Sequence, residues 1–185
     1  MGGQDKGLVP FAGRPLVEWV IEALAPQVQR LVINANRNLE RYAAYGCAVF
    51  ADEIAGFQGP LAGFAGAMAA VNTPWILTLP CDGPFPPPDL AERLSAAVIR
   101  EGAELAVARD GERVQPVYAL IPVFLATSLT AYLATGERRI GQWYAAHRTA
   151  LVDFSDRPGC FANINSAEDS QLLERCYRGC TGDES

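Results

Sequence analysis

The chain has 185 residues and a mass of 19.9 kDa, the size of one domain, and half of its residues are hydrophobic while 19% are charged, which supplies a core and excludes global disorder. Acidic residues exceed basic ones by 21 to 15, for a net charge of −6 and a pI near 4.8, the wrong sign for a general nucleic-acid binder, so an anionic ligand has to meet a local basic site. No apolar run has the length of a membrane span, and MGGQDKGLVP has neither the basic start nor the apolar stretch of a signal peptide, so the expected address is the cytoplasm.

The basic residues are 14 arginines and one lysine. That lysine, Lys6, sits in the glycine-bearing stretch MGGQDKG, where a compact ammonium on a flexible stem can follow a phosphate as a point charge. Next, Pro15 opens PLVEWVIEALAPQV, whose Leu16, Val17, Val20, Ile21 and Leu24 share one helical face. RLVINAN reads as a short strand, the stretch from about Asn38 to Tyr45 as a polar helix, and CAVFAD as a second strand. GPLAGFAGAMAAV starts a helix at Gly59 and Pro60, with small residues that suit close packing on a sheet, and WILTLPCD is a buried strand.

The proline-rich loop GPFPPP hands over to the helix DLAERLSAAVIREG, with Asp89 as expected cap and Gly102 past its end. ELAVARD and RVQPVYAL are two strands joined by the turn Asp110-Gly111-Glu112. VFLATSLTAYLATG and RRIGQWYAAH read as helices, TALVDF as a strand, and SAEDSQLLERCYRG as a terminal helix capped by Ser166. The sole histidine, His147, closes RRIGQWYAAH and is read as structural, and the five cysteines, an odd set without CxxC, as reduced thiols.

Helices alternate with strands from Pro15 to Asp82, which predicts an α/β fold with a mostly parallel sheet covered on both faces and ligands outside the carboxyl ends of its strands. Polar residues collect at those ends: Asn34 and Asn36 after RLVINAN, Asp52 after CAVFAD and Asp82 after WILTLPC, with Asn163 and Asn165 just before the last helix. Each alone is also an ordinary turn or cap residue, and only their common location makes a site. Asp82, projected from a rigid strand end, could hold Mg²⁺ against a phosphate. A point cation in a glycine loop plus a strand-end carboxylate is what nucleotidyl transfer needs, since that chemistry holds polyphosphate, neutralises charge and aligns a nucleophile. GxxxxGK[ST], GxGxxG and GxSxG are all absent from the sequence, so neither a P-loop hydrolase, a dinucleotide-binding Rossmann domain nor a nucleophile-elbow hydrolase is supported.

The motifs MGGQDKGL, PLVEWV, INANR, the aspartate of FADE, QGPLAG, LPCDGPF, QPVYAL, GERR and FANINSAED, in this order, resemble the molybdenum cofactor guanylyltransferases (MobA type) over essentially the whole chain. The resemblance implies a three-layer, Rossmann-like nucleotidyltransferase that moves GMP from GTP to the terminal phosphate of molybdopterin, or molybdenum-molybdopterin, with release of pyrophosphate and with Mg²⁺ as cofactor. It implies one domain over 1–185, with a nucleotide-binding half at about 1–100 and a pterin-binding half at about 101–180. By the same resemblance Lys6 and Asp82 are catalytic, and Asp82 is the metal ligand. Gly2, Gly3, Lys6, Asn34, Asp52, Gly59, Pro60, Leu61 and Asp82 bind nucleotide, while Asn163 and Asn165 face the pterin and its phosphate.

One departure is expected to matter. The family motif begins earlier, as L-A-G-G-x-x-x-R-M-G-G after a first parallel strand, whereas this sequence starts at the methionine inside it. The expectation is therefore a sheet whose first strand is missing, together with much of the backbone cradle for a triphosphate. Two alternatives stay open: another nucleotidyltransferase, acting with cytidine nucleotide on the same cofactor or on a sugar phosphate, and a cofactor-binding module impaired in transfer. Other molybdenum cofactor biosynthesis proteins and acceptor enzymes are further expected partners.

Overall fold

The structure is a computed structural model and describes residues 5–52, 59–111 and 113–181. After a short turn at Lys6–Leu8, strands β1 (Pro10–Phe11) and β2 (Arg14–Pro15) form an antiparallel hairpin, and helix α1 (Leu16–Leu24) follows. The hairpin turn places Ala12 at φ 45 and Gly13 at φ 82, the left-handed pair that matches the twist of two antiparallel strands. Sequence reading missed this hairpin, because each strand is two residues long and carries a proline.

Strand β3 (Val32–Asn34), helix α2 (Leu39–Ala43) and strand β4 (Ala48–Phe50) form a unit in which the two strands pair in parallel, Val32 opposite Ala48 and Asn34 opposite Phe50. Helix α3 (Pro60–Ala70), strand β5 (Trp75–Thr78) and helix α4 (Leu90–Glu101) come next. Gly102 ends α4 in the left-handed conformation (φ 60), as expected of a glycine just past a helix. Asp89 stands at the N-terminal flank of α4 without capping it through its side chain; Arg157 Nη2 donates to its Oδ2 at 2.9 Å, and its Oδ1 has no partner among the described residues.

Strands β6 (Leu105–Asp110) and β7 (Arg113–Pro122) make an antiparallel hairpin. Helices α5 (Ala126–Ala134) and α6 (Ile140–Ala145), strand β8 (Thr149–Asp153) and helix α7 (Ala167–Thr181) complete the chain. The larger sheet has the order β5-β7-β6-β8, with β6 and β8 parallel and β7 antiparallel to both of its neighbours. Three of its four strands thus run one way. The exception follows from the short turn at Gly111 (φ 59), which can only return the chain antiparallel.

Side-chain alternation along β6 and β7 divides the core into two layers. Leu105, Val107, Ala119 and Ile121 pack with Leu61, Phe64 and Met68 of α3, Leu129 and Leu133 of α5, and Trp143 of α6. Ala106, Ala108 and Tyr118 pack on the other face with Leu90, Leu94 and Ala97 of α4. Period-two burial on both faces is the signature of a sheet sandwiched between helices.

Among the described residues β3 pairs only with β4, and β5 pairs only with β7. Helix α3 touches β3 and β5 alike, and between these strands runs a groove of about 1230 Å³ lined by Val32, Ile33, Ile76 and Leu77, by Val17 and Ile21 of α1, and by Phe64 of α3. The sheet of the described residues is divided along this groove, whose lining includes Asn34, Pro60 and Asp82. No helix among the described residues is long and apolar enough to cross a membrane.

Candidate active site

Asp82 lies four residues beyond β5, and two anchors hold its segment. Thr78 donates its hydroxyl to the Val117 carbonyl at 2.7 Å, and Ile164 donates its backbone N–H to the Asp82 carbonyl at 2.8 Å. The second bond brings Asn163 and Asn165 alongside the strand end, although they are some eighty positions away in sequence. Asp82 is 8% exposed, and a carboxylate this buried needs a charged or hydrogen-bonding partner. Lys6 is that partner: its Nζ donates to Asp82 Oδ2 at 2.8 Å and to Asn165 Oδ1 at 2.6 Å.

The Lys6 loop is itself tethered. The Asp5 carboxylate accepts from the Tyr42 hydroxyl at 2.5 Å and from Asn38 Nδ2 at 2.9 Å, while Arg37 Nε stands 3.6 Å away. Burial, and then the hydrogen bond to Asp5, hold the Tyr42 phenol far above its ordinary range, so it remains a donor. Gly7 passes so close beneath this clamp that an added Cβ would stand 2.5 Å from the Tyr42 hydroxyl. Desolvation, followed by the carboxylates of Asp82 and Asp5, pushes the adjoining Cys81 thiol up to about 11, which keeps it protonated near neutral pH. Cys47, Cys81 and Cys160 are free thiols.

Asn165 is fixed from the other side. Asp169 Oδ2 accepts the backbone N–H groups of Asn165 at 3.0 Å and Ser166 at 2.9 Å, and Ser166 Oγ accepts the Asp169 N–H at 3.0 Å. This reciprocal cap starts α7 where the sequence places Ser166, and the Asn165 N–H together with the Ser166 hydroxyl holds the Asp169 carboxyl below its usual range.

A second polar cluster closes β3 and β4. Asp52 accepts from Asn34 Nδ2 at 3.0 Å through one oxygen and from Asn36 Nδ2 at 2.8 Å through the other, and its own N–H returns a bond to Asn36 Oδ1 at 2.8 Å. Asn36 thus joins Asn34 and Asp52 as a third member, one that the strand-end pattern showed without a role. Gly63 of α3 lies against this cluster, where a Cβ would stand 2.8 Å from Asn34 Oδ1. Gly59 (φ 147) and Pro60 turn the chain into α3 at the surface, whereas the Leu61 side chain, 1% exposed, points into the core, so what Leu61 offers the cleft is main chain. Gly2 and Gly3 lie outside the described residues.

Asn34 and Cys81 line both the large groove and a cavity of about 300 Å³ shared with Asp5, Asn36, Arg37 and Tyr42, so the two clusters face a connected space. At one end Asp82, which lines this space, holds the Lys6 ammonium, itself bonded to the Asn165 carboxamide; at the other, Asn34, which also lines it, bonds the Asp52 carboxylate, each of whose oxygens accepts one asparagine amide among the described residues. The first end suits phosphate and a divalent cation, and the second suits the donor edge of a base. Sequence reading named Lys6, Asp82, Asn165, Asn34 and Asp52. It missed Asp5, Tyr42 and Gly63, whose only signals were the acidic neighbour of Lys6 and the second glycine of GPLAG.

The family model for the MobA-like NTP transferase domain matches residues 1–150. A protein of Shewanella sp. (strain MR-4) called molybdenum cofactor guanylyltransferase is 50% identical over 173 residues, 94% of this chain and 88% of its own length. One from Shewanella amazonensis with the same name is 48% identical over 175 residues, 95% of this chain and 89% of its own. Among solved structures, molybdopterin-guanine dinucleotide biosynthesis protein A from Archaeoglobus fulgidus superposes with a TM-score of 0.79 at 22% identity, covering 96% of this chain and 92% of that one. The 2-C-methyl-D-erythritol 4-phosphate cytidylyltransferase of Thermus thermophilus shares the fold at a TM-score of 0.69 and 21% identity, with 94% of each chain covered.

Proposed function

The chain belongs to the MobA-like NTP transferases, and we propose that it is a molybdenum cofactor guanylyltransferase, an enzyme that transfers GMP from GTP to the terminal phosphate of molybdopterin or molybdenum-molybdopterin. The observation that carries this reading is the meeting of Lys6, Asp82 and Asn165, drawn from positions 76 and 159 residues apart to a single ammonium. In the reaction an oxygen of the acceptor phosphate attacks the α-phosphorus of GTP, the bond from that phosphorus to the β-bridging oxygen breaks, and pyrophosphate leaves with the electron pair. Charge builds on the leaving phosphates. In this reading Lys6 turns from Asp82 and Asn165 onto those oxygens and offsets it.

Nucleotidyltransferases of this kind work with a divalent metal, and the donor set here fits Mg²⁺. Asp82 contributes one hard carboxylate, already shared with a cation at 2.8 Å, and Mg²⁺ takes such a group with substrate phosphates and water completing its shell. Bound there, the metal would supply charge neutralisation to the phosphates. Asn34, Asn36 and Asp52 form the nucleoside end in this reading, where Asp52 accepts from the N1–H and N2–H₂ groups of guanine. Gly59, Pro60 and the Leu61 main chain border the nucleoside. Asn163 and Asn165 face the acceptor, so that the half at about 1–100 holds nucleotide and the half at about 101–180 holds pterin.

The test is incubation of the purified chain with GTP, Mg²⁺ and molybdopterin, with mass-spectrometric detection of the guanine dinucleotide and measurement of pyrophosphate. Product with GTP and not with CTP is the expected result. Absence of product, or equal product with CTP, overturns the reading.

A further inference from the structure

Tyr118 of β7 carries a polar atom that the contacts above leave unused. The residue is 2% exposed, its ring meets Phe161 edge-on at 4.8 Å between centroids, and its hydroxyl has no hydrogen-bond partner among the described residues. A phenylalanine would fill the same ring site without burying an unpaired hydroxyl, so packing does not account for the oxygen. Its location is informative. A Cβ added to Gly83 would collide with the Tyr118 hydroxyl and would stand 3.2 Å from Asn163 Oδ1, so both oxygens border the space over Gly83, directly after Asp82. A tyrosine hydroxyl carries its proton throughout the neutral range, so it can donate there.

Asn163 has the complementary need. Its carboxamide ends in one acceptor and one donor, and only the NH₂ end can serve an anionic phosphate oxygen. In the opposite orientation the carboxamide oxygen would face the phosphate and repel it. A donor that captures Oδ1 decides between the two.

We propose that Tyr118 is a positioning residue for Asn163: when the acceptor enters, the Tyr118 hydroxyl donates to Asn163 Oδ1 and turns the amide NH₂ toward the acceptor phosphate. This rests on the reading of Asn163 as an acceptor-side residue. The role is separable from structural support, because removing an unpaired buried hydroxyl relieves the unliganded fold while removing a positioning donor harms the loaded one.

The experiment is a double-mutant cycle with Tyr118→Phe and Asn163→Ala in the full chain. Tyr118→Phe is expected to melt no lower than the parent, to raise the KM for molybdopterin about tenfold, the scale of one hydrogen bond to a charged group, and to leave the KM for GTP unchanged. Asn163→Ala is expected to do the same, and the double variant no more than either alone. An unchanged KM for molybdopterin, increases that multiply in the double variant, or a lowered melting temperature for Tyr118→Phe each overturns the proposal. A parent chain that makes no product refutes the proposed reaction. The positioning role is then decided by the melting shift that inorganic phosphate, which shares the chemistry of the acceptor's terminal phosphate, induces; it must shrink in each single variant and no further in the double, and a shift unchanged in either single variant overturns the role.

Discussion

A strand supplied to the groove between β3 and β5 should stabilise the protein by an amount the groove itself sets. One strand residue in a sheet covered on both faces occupies about 3.3 Å along the chain, about 4.8 Å across the sheet and about 10 Å between layers, or roughly 160 Å³. The groove of about 1230 Å³ therefore takes one strand of about seven or eight residues. Burying seven apolar side chains contributes about 10–20 kcal/mol, and ordering the same residues costs about 10–18 kcal/mol, so these two terms nearly cancel. The surplus comes from walls that are ordered already. Covering the exposed parts of the half-buried Ile21, Val32, Ile33 and Leu77 contributes about 2–4 kcal/mol, which for a domain of this size is about 4–16 °C in melting temperature. The assay compares two extensions joined upstream of Met1, one an apolar strand former and one a Ser/Asn-rich segment of equal length, by thermal unfolding without ligand. Equal melting temperatures for the two would refute the groove as a strand site.

Three further outcomes follow. Asp82→Asn and Lys6→Arg act on the two ends of one 2.8 Å contact, and each should lower GMP transfer by about 100-fold or more while circular dichroism shows an intact fold; near-normal turnover of either variant at saturating Mg²⁺ would remove that residue from the chemistry. Asp52→Ala frees Asn34 and Asn36 from their acceptors and removes the carboxylate from the base end, so GTP affinity should fall more than CTP affinity, and an equal fall in competition titrations would leave Asp52 a purely structural tie. Because the Asp169 carboxyl titrates lower in the folded chain than its ordinary 3.8, the cap of α7 is fully present above that value and is lost as pH falls through the folded value; acid unfolding followed by helix content should begin earlier in Asp169→Ala, and superimposable acid limbs would count against the cap.

The parts of this molecule that sequence could show are those governed by neighbours in the chain. WILTLPC is apolar long enough to be a buried strand, so the carboxylate after it had to emerge at a strand end, and the same logic placed Asn34 and Asp52. Ser166 and Asp169 are three apart, which is the spacing of a reciprocal cap. What stayed hidden depends on residues far apart: that β7 inserts between β5 and β6, that Asp52 spends one lone pair of each oxygen on Asn34 and Asn36, and that Tyr42 clamps Asp5.

Three glycines show why the gap lies there. Gly7, Gly63 and Gly83 each leave less than a normal Cβ contact to Tyr42, Asn34 and Tyr118 respectively, and none of these partners is within 28 positions of its glycine. Two of the partners are strand-end or loop-clamping groups of the site, and the third carries the unused hydroxyl beside Asp82. A glycine in a turn and a glycine yielding space to a distant functional side chain look alike in sequence, since both are only missing a Cβ. In this fold these three stand at the cleft, where backbone comes within a side chain's reach of the polar groups, and a methyl at the three positions would press first on Tyr42, which clamps Asp5 beside Lys6, on Asn34, which bonds Asp52, and on Tyr118, which stands beside Asp82. Gly7→Ala, Gly63→Ala and Gly83→Ala should accordingly lower turnover by a larger factor than they lower the unfolding equilibrium, with kinetics and thermal melts measured on the same preparations; losses of equal size in both would mean that these glycines serve the fold alone.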